Sequence, residues 1–287
     1  MLLVKHHSAR RLVDTKYRFN VTTVKEIGYG DCKSLKVTTV RCLRTKGIEE
    51  EKKYSARCSV NEQKLDNNVW RSKQKIFELA FCNPWEWFVT FTIDKSKFNR
   101  TDLKKYYKHF TQFIRDYCKK HSIKIKYLLT PELHSDGESW HLHGLMYGLP
   151  QELLHRFVIG DVMSDYIAKK VANGACVYNW REYQSKFGFC CIEPVTSHQR
   201  VSCYITKYIN KDLYRSVTEL NANLYYRSQG LQTAKVLKQG TFTGDYTPDW
   251  EGEFCKTKTL PYTEENLSYL LDNTVNYTPD EVYDYDF

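Results

Sequence analysis

Between residues 123 and 147 two strand-like runs are separated by six polar residues: IKIKYLLTPEL, then HSDGES, then WHLHGLMY. Parallel neighbours need a crossover of roughly a dozen residues or more, whereas a short loop with Asp136-Gly137 in it suits an antiparallel turn. The link therefore argues against a doubly wound parallel sheet. It predicts a hairpin of strands Ile123–Leu133 and Trp140–Tyr147.

Other elements fall around this hairpin. WFVTFTI, residues Trp87–Ile93, is rich in β-branched and aromatic residues, with threonines alternating at 90 and 92. Thr101–Lys120 repeats Leu103, Tyr107, Phe110, Ile114 and Tyr117 at three- and four-residue spacing, the pattern of an amphipathic helix. Pro150–Ala172 is helical in outline with a break at Gly160, Trp180–Lys186 is a short helix, and Phe189–Val195 a strand. Val201–Leu213 is a helix with Val201, Ile205, Ile209 and Leu213 as its stripe. This order predicts an α+β fold with an antiparallel sheet and helices on one face. Upstream, residues 17–43 read as a β-hairpin around Gly28-Tyr29-Gly30-Asp31, and 49–82 as a helix ended by Pro84. Beyond Gly240 the prolines at 248, 261 and 279 predict an irregular region, with a helical turn or two at 265–272. Three segments follow: a basic hairpin-and-helix region at 1–80, a body at 81–240 and an acidic tail at 241–287.

The net charge of +9 comes from 43 basic and 34 acidic residues, unevenly spread. Residues 241–287 hold 11 acidic and two basic groups, so residues 1–240 carry +18. A basic, aromatic-rich body suits a nucleic-acid partner. The tail reads either as a solvated appendage or as a cover for a basic groove. The ten cysteines include no C-x-x-C pair, which leaves a thiolate zinc site without support. No run approaches the ~20 apolar residues of a membrane span, and the N-terminal MLLVKHHSARR lacks a secretory apolar region. A cytoplasmic chain with reduced thiols is expected.

His141 and His143 flank Leu142 in a strand, so both imidazoles point to one face and Leu142 to the other. They are either surface histidines satisfied by their neighbours or a pair converging on a divalent cation. Glu132 ends the preceding strand and folds back beside His141. Two imidazoles and a carboxylate would leave open positions on a metal, and this mixed set tolerates Mg²⁺ or Mn²⁺. His134 shares the parity of Glu132 and is an auxiliary or competing ligand. Gly144 allows close approach of a backbone or a substrate.

In YITKYINK, Tyr204 and Tyr208 stand four residues apart, one position off the apolar stripe. They are either boundary aromatics or reactive phenols. Lys207 and Lys211 lie beside them. Nearby cations favour the phenolate, which is a competent nucleophile, and can neutralise a phosphate.

WFVTFT, then HLH with Glu132 before it, then YITKYINK occur in the order of the three motifs of the HUH endonucleases. The surrounding text, NPWEWFVTFTIDK and VSCYITKYINKDLY, resembles the two-tyrosine rolling-circle replication initiators of phages and plasmids from low-GC bacteria. The resemblance covers about residues 82–230. It implies a ferredoxin-like, RRM-like fold with a central antiparallel sheet flanked by helices. It implies that His141, His143 and Glu132 hold the divalent metal, and that Tyr204 and Tyr208 are nucleophiles with Lys207 beside them. The implied partners are single-stranded DNA at a replication origin, as a hairpin in some members, and the host helicase and polymerase. Rival readings are a transposase or mobilisation relaxase of the same chemistry, a non-catalytic RRM-like binder of single strands, and a 2-His-1-carboxylate oxygenase. The cations offered to a DNA backbone are Lys95, Lys97, Arg100, Lys124, Lys126, Lys169, Lys170, Arg181 and Lys186.

Overall fold

A computed structural model of the chain describes residues 16–46, 62–134, 136, 139–210, 213, 223–277 and 283–284. The chain forms two compact units, one of residues 55–233 and one of residues 1–54 with 234–287. The three segments expected from sequence are thus parted elsewhere. The N-terminal hairpin and the acidic tail belong to one unit, and the first helix belongs to the other.

The chain enters through β1 (Lys16–Ile27) and β2 (Ser34–Lys46), the expected hairpin. Its turn needs glycine at position 28, where φ is +116° and a Cβ would stand 2.4 Å from the Cys32 carbonyl oxygen. Helix α1 (Glu62–Phe81) follows; residues 49–61 of the longer helix expected lie outside the described residues. Its last carbonyls are capped by side chains beyond it: Asn83 Nδ2 donates to Leu79 O at 2.7 Å and Trp85 Nε1 to Ala80 O at 2.7 Å.

The next elements build one sheet and its helices. They are β3 (Trp87–Thr92), α2 (Leu103–His121), β4 (Lys126–Leu133), β5 (Trp140–Tyr147) and β6 (His155–Arg156). Then come α3 (Asp165–Ala172), β7 (Tyr178–Asn179), α4 (Arg181–Lys186), β8 (Cys190–Pro194), α5 (His198–Ile205) and β9 (Tyr226–Arg227). The strand order is β6-β7-β8-β3-β5-β4-β9, antiparallel at each pairing. The tight link between β4 and β5 makes them neighbours, as the loop length requires. The central order β8-β3-β5-β4, with α2 between β3 and β4, is that of a ferredoxin-like α+β fold.

One face of this sheet is apolar. Val89, Phe91, Leu142 and Leu145 are fully buried there, and Phe91 packs 5.6 Å from Phe110 of α2 and 4.4 Å from Tyr183 of α4. Tyr106 takes the fully buried place on α2, whereas Tyr107 is half-buried and pairs its hydroxyl with Tyr127 at 3.0 Å. The opposite face carries Phe88, Thr90, Thr92, His141 and His143. Helix α5 reaches that face, with Tyr204 5.4 Å from Phe88. Helices therefore flank both faces, not one. Phe88 extends the apolar surface onto the second face, and an aromatic helix end can bury against it.

The run 150–172 departs from the single broken helix expected. It opens with a 3-10 turn at Gln151–Leu153 and the short β6, and only Asp165–Ala172 is α-helical. Asp161 is the reason: its carboxylate accepts from Val158 N at 2.9 Å and His155 Nε2 at 3.0 Å, fixing a turn that Gly160 completes at φ +104°.

The tail also departs from expectation. It supplies β10 (Lys235–Phe242), β11 (Trp250–Glu251), β12 (Cys255–Pro261), α6 (Glu264–Asp272), β13 (Thr274–Val275) and β14 (Tyr283–Asp284). These pair around the first hairpin in the order β11-β12-β2-β1-β10-β13, with β14 on β1. Leu270 of α6 packs with Val24, Leu35 and Val37 beneath. The alternation in CKTKTLP was the strand signal, overridden in the sequence reading by the prolines nearby. The unit holds 17 basic and 17 acidic residues and is neutral, so the whole +9 resides on residues 55–233. No helix among the described residues is long and apolar enough to cross a membrane.

Gly144 sits opposite Leu129 on β4 and Val89 on β3. A Cβ there would stand 2.3 Å from the Leu128 carbonyl oxygen and 2.5 Å from Leu129 Cδ2. The glycine admits a neighbouring backbone. Gly144→Ala is expected to destabilise the fold by about 1–3 kcal/mol through overpacking, read as a lower urea midpoint; an unchanged midpoint would refute the close approach.

Candidate active site

The register of β5 sets the site. His141 lies opposite Thr92 of β3 and Glu132 of β4, and His143 lies opposite Thr90 and Thr130. Paired residues share a sheet face, so both imidazoles and the carboxylate stand together. Each imidazole is held from behind by a threonine. Thr90 Oγ1 is 3.1 Å from His143 Nδ1, and Thr92 Oγ1 is 3.3 Å from His141 Nδ1. These hydroxyls fix the Nδ1 side of each ring. Sequence reasoning used the two threonines only as a strand signal. Their spacing, T-x-T against H-x-H, was the clue to a positioning role.

His143 Nε2–H donates to Glu132 Oε2 at 2.7 Å. His134 stacks on His141 with ring centres 4.5 Å apart, and the centres of His141 and His143 are 6.3 Å apart. Burial drives the His141 pKa down to about 4, helped by the neighbouring His134 and His143 and opposed by Glu132. Burial also lowers the His143 pKa, against the pull of Glu132. Both rings are thus neutral at physiological pH, the form that ligates a metal. Among the described residues no three ligating side chains stand at metal-binding spacing. Glu132 is turned onto His143 instead. The donor set still fits a divalent cation in kind: two neutral imidazoles braced at Nδ1, with a carboxylate in register beside them. Glu132, rather than His134, touches both the strand pairing and a histidine nitrogen.

Helix α5 brings the tyrosines to this face. Its start is tied down by His198, whose Nε2–H donates to Asn83 O at 2.6 Å, and by Ser197, whose side chain accepts from Arg200 N. The α-helix ends at Ile205, earlier than expected, and Thr206–Tyr208 form a 3-10 turn. A 3-10 residue advances about 120° instead of about 100°. Tyr208 is therefore rotated away from the azimuth of Tyr204, and the two phenols differ. Tyr204 is 44% exposed, whereas Tyr208 is 8% exposed and stacks on His143 at 4.4 Å with the rings 6° apart. The expectation that both phenols flank the buried face holds for Tyr204 only.

Lys207 Nζ lies 3.7 Å over the Tyr204 ring and 4.9 Å from that of Tyr208, whose hydroxyl donates to the Tyr204 hydroxyl at 3.3 Å. Partial burial works against ionisation of Tyr204. The hydrogen bonds from Lys207 and Tyr208, with the lysine charge, outweigh it, and the Tyr204 pKa is lowered. Tyr208 is raised by burial and by the adjacent Tyr204. Lys211 lies outside the described residues.

The remaining cations do not gather in one groove. Arg100 bears on His141 and is anchored by Nε to the Ile93 carbonyl at 2.7 Å. Lys170 pairs with Glu193 at 2.5 Å, Lys97 donates to the Gln184 carbonyl, and Lys126 to that of Gln229. Arg181 donates to His155, and Lys186 lies over Phe113 and Phe187 on the α2 side. Lys95, Lys124 and Lys169 are exposed.

Two imidazoles, a carboxylate, an ammonium and an activated phenol on one sheet face can bind an anionic ester and present it with an oxygen nucleophile. Residues 86–213, under half of the chain, match the family model described as replication-associated protein ORF2. The matched segment includes β3 to α5, every element that builds this face, and ties it to DNA replication. No curated protein and no solved structure matches the chain.

In Lys207→Met the Tyr204 pKa should rise, because the ammonium that favours its phenolate is gone. The low-pH edge of the tyrosinate absorbance titration, lost in Tyr204→Phe, should move to higher pH. An unmoved edge would locate the source of that acidity elsewhere.

Proposed function

We propose that residues 55–233 nick and rejoin single-stranded origin DNA by tyrosine transesterification and so initiate rolling-circle replication. The observation that supports this most is Tyr204: an exposed, acidified phenol under Lys207, on the face that carries His141 and His143. The similarity of this segment to replication-associated proteins supports the substrate.

His141, His143 and Glu132 would hold Mg²⁺ or Mn²⁺, which supplies Lewis-acid stabilisation of charge on the scissile phosphate. Tyr204 attacks phosphorus through its phenolate oxygen, having lost its proton to solvent with the help of Lys207. The bond from phosphorus to the 3′ oxygen breaks, and that oxygen takes a proton. The products are a 5′-phosphotyrosine and a free 3′-OH, which host polymerase extends behind a helicase. Rejoining is the reverse attack by a 3′-OH, and the phosphotyrosine ester retains the energy of the broken bond. Tyr208 makes the second cut: once Tyr204 is esterified, it loses its hydrogen-bond partner and becomes the phenol left on this face.

Labelled single-stranded oligonucleotides containing a hairpin origin, with Mn²⁺, should give a protein–DNA adduct on a denaturing gel. Tyr204→Phe should lose the first cut, Tyr208→Phe should keep it, and the double variant should form no adduct. Cleavage surviving in the double variant would sink the mechanism. Thr90→Val with Thr92→Val should weaken Mn²⁺ binding roughly 10–100-fold, measured by calorimetry, whereas Thr90→Ser should not. Unchanged affinity in the valine variant would remove the threonines from the site.

A further inference from the structure

Beside the face just described stands an aromatic that the proposed chemistry does not use. Tyr166, on the first turn of α3, is 62% exposed. Most exposed tyrosines are held by little. This one is braced: Lys170, one helical turn on, places Nζ 4.6 Å from the centre of its ring. The Lys170 ammonium is itself fixed, by Glu193 at 2.5 Å. Burial disfavours its charge, but hydrogen bonds to Glu193 and Tyr166 hold its pKa above the usual lysine range.

The brace connects to the tyrosine face. Glu193 on β8 lies opposite Phe88 on β3, so the two side chains share a face. Phe88 in turn touches Tyr204 at 5.4 Å and His143 at 6.4 Å. Helix α3 is seated on the same face, since Ile167 packs with Cys191, which lies opposite Thr90. Tyr166 is near enough to Tyr208 to bear on its ionisation. A fixed ring, with a cation against one side and much of its surface open, therefore flanks the phenols.

We propose that Tyr166, braced by Lys170 and Glu193, is a stacking platform for an unpaired base of the strand whose phosphate meets Tyr204. This rests on the reading of the face as a single-stranded DNA site. Every base has a π face, so an aromatic platform orders a strand without reading its sequence, while a neighbouring cation serves the backbone. Fixing the ring in advance removes the cost of ordering it on binding. The +9 charge of residues 55–233 favours a polyanion over a protein partner at this surface.

The test uses the full chain and a fluorescent oligothymidylate, with affinity read by anisotropy. Tyr166→Phe and Tyr166→Trp should bind within about twofold of the parent, and Tyr166→Ala about tenfold more weakly. The Tyr166→Ala loss should leave the slope of affinity against salt unchanged, because stacking releases no counterions. In Tyr166→Trp the indole fluorescence should be quenched by the oligothymidylate but not by an abasic strand of equal length. Equal affinity for the parent and Tyr166→Ala, while the parent still forms its covalent adduct, overturns the platform and leaves the nicking reaction standing. A parent that neither binds the strand nor forms the adduct overturns both.

Discussion

Strand β5 lies between β3 and β4 in a register that pairs His141 with Thr92 on one side and Glu132 on the other. Everything on the polar face follows from that alignment. Side chains alternate, so a slip of one residue would send both histidines into the core and Leu142 to solvent. The alignment is secured by the short β4–β5 loop, by full burial of Leu142 and Leu145, and by the glycine that lets β4 close against β5. The two imidazoles are thereby presented with their Nδ1 atoms already engaged by threonine hydroxyls. Packing on one side of the sheet thus orients the polar groups on the other.

The same face separates two chemically identical side chains. Tyr204 and Tyr208 are four residues apart, yet one is exposed and acidified while the other is stacked and resists ionisation. The difference arises from where the α-helix tightens into a 3-10 turn and from the single ammonium of Lys207, which lies closer to Tyr204. A neutral His143 makes a better stacking partner for a phenol than an imidazolium would, because burying the charged ring would cost more. Burial of the histidine and of Tyr208 therefore reinforce one another.

Much of this was legible in the sequence, for reasons that differ by residue. Loop length and alternation located β3, β4 and β5 within a few residues, because those signals are local. The convergence of His141, His143 and Glu132 on one face followed from parity and a hairpin. Helix ends were less legible. The termination of α5 at Ile205 and the turn around Asp161 depend on hydrogen bonds that no periodicity encodes. The tail was misjudged because its strands gain stability only by pairing with β1 and β2, more than two hundred residues away in sequence. The basic side chains were misgrouped for a related reason: their partners, such as Glu193 for Lys170, come from other elements.

That long-range pairing makes residues 55–233 an insertion within a split sheet. Strand β1 is bordered by β2 from its own end of the chain and by β10 from the far side of the insertion. The apolar cluster of Val24, Leu35 and Val37 closes only when Leu270 arrives from α6. During synthesis the first hairpin must therefore wait, with one edge open, until the intervening 179 residues have been made. The threonines and lysines along it are suited to that interval, since a polar, charged edge resists pairing with other chains. The acids of the tail are then the late half of a domain whose early half is basic, and the charges meet only when the sheet is completed.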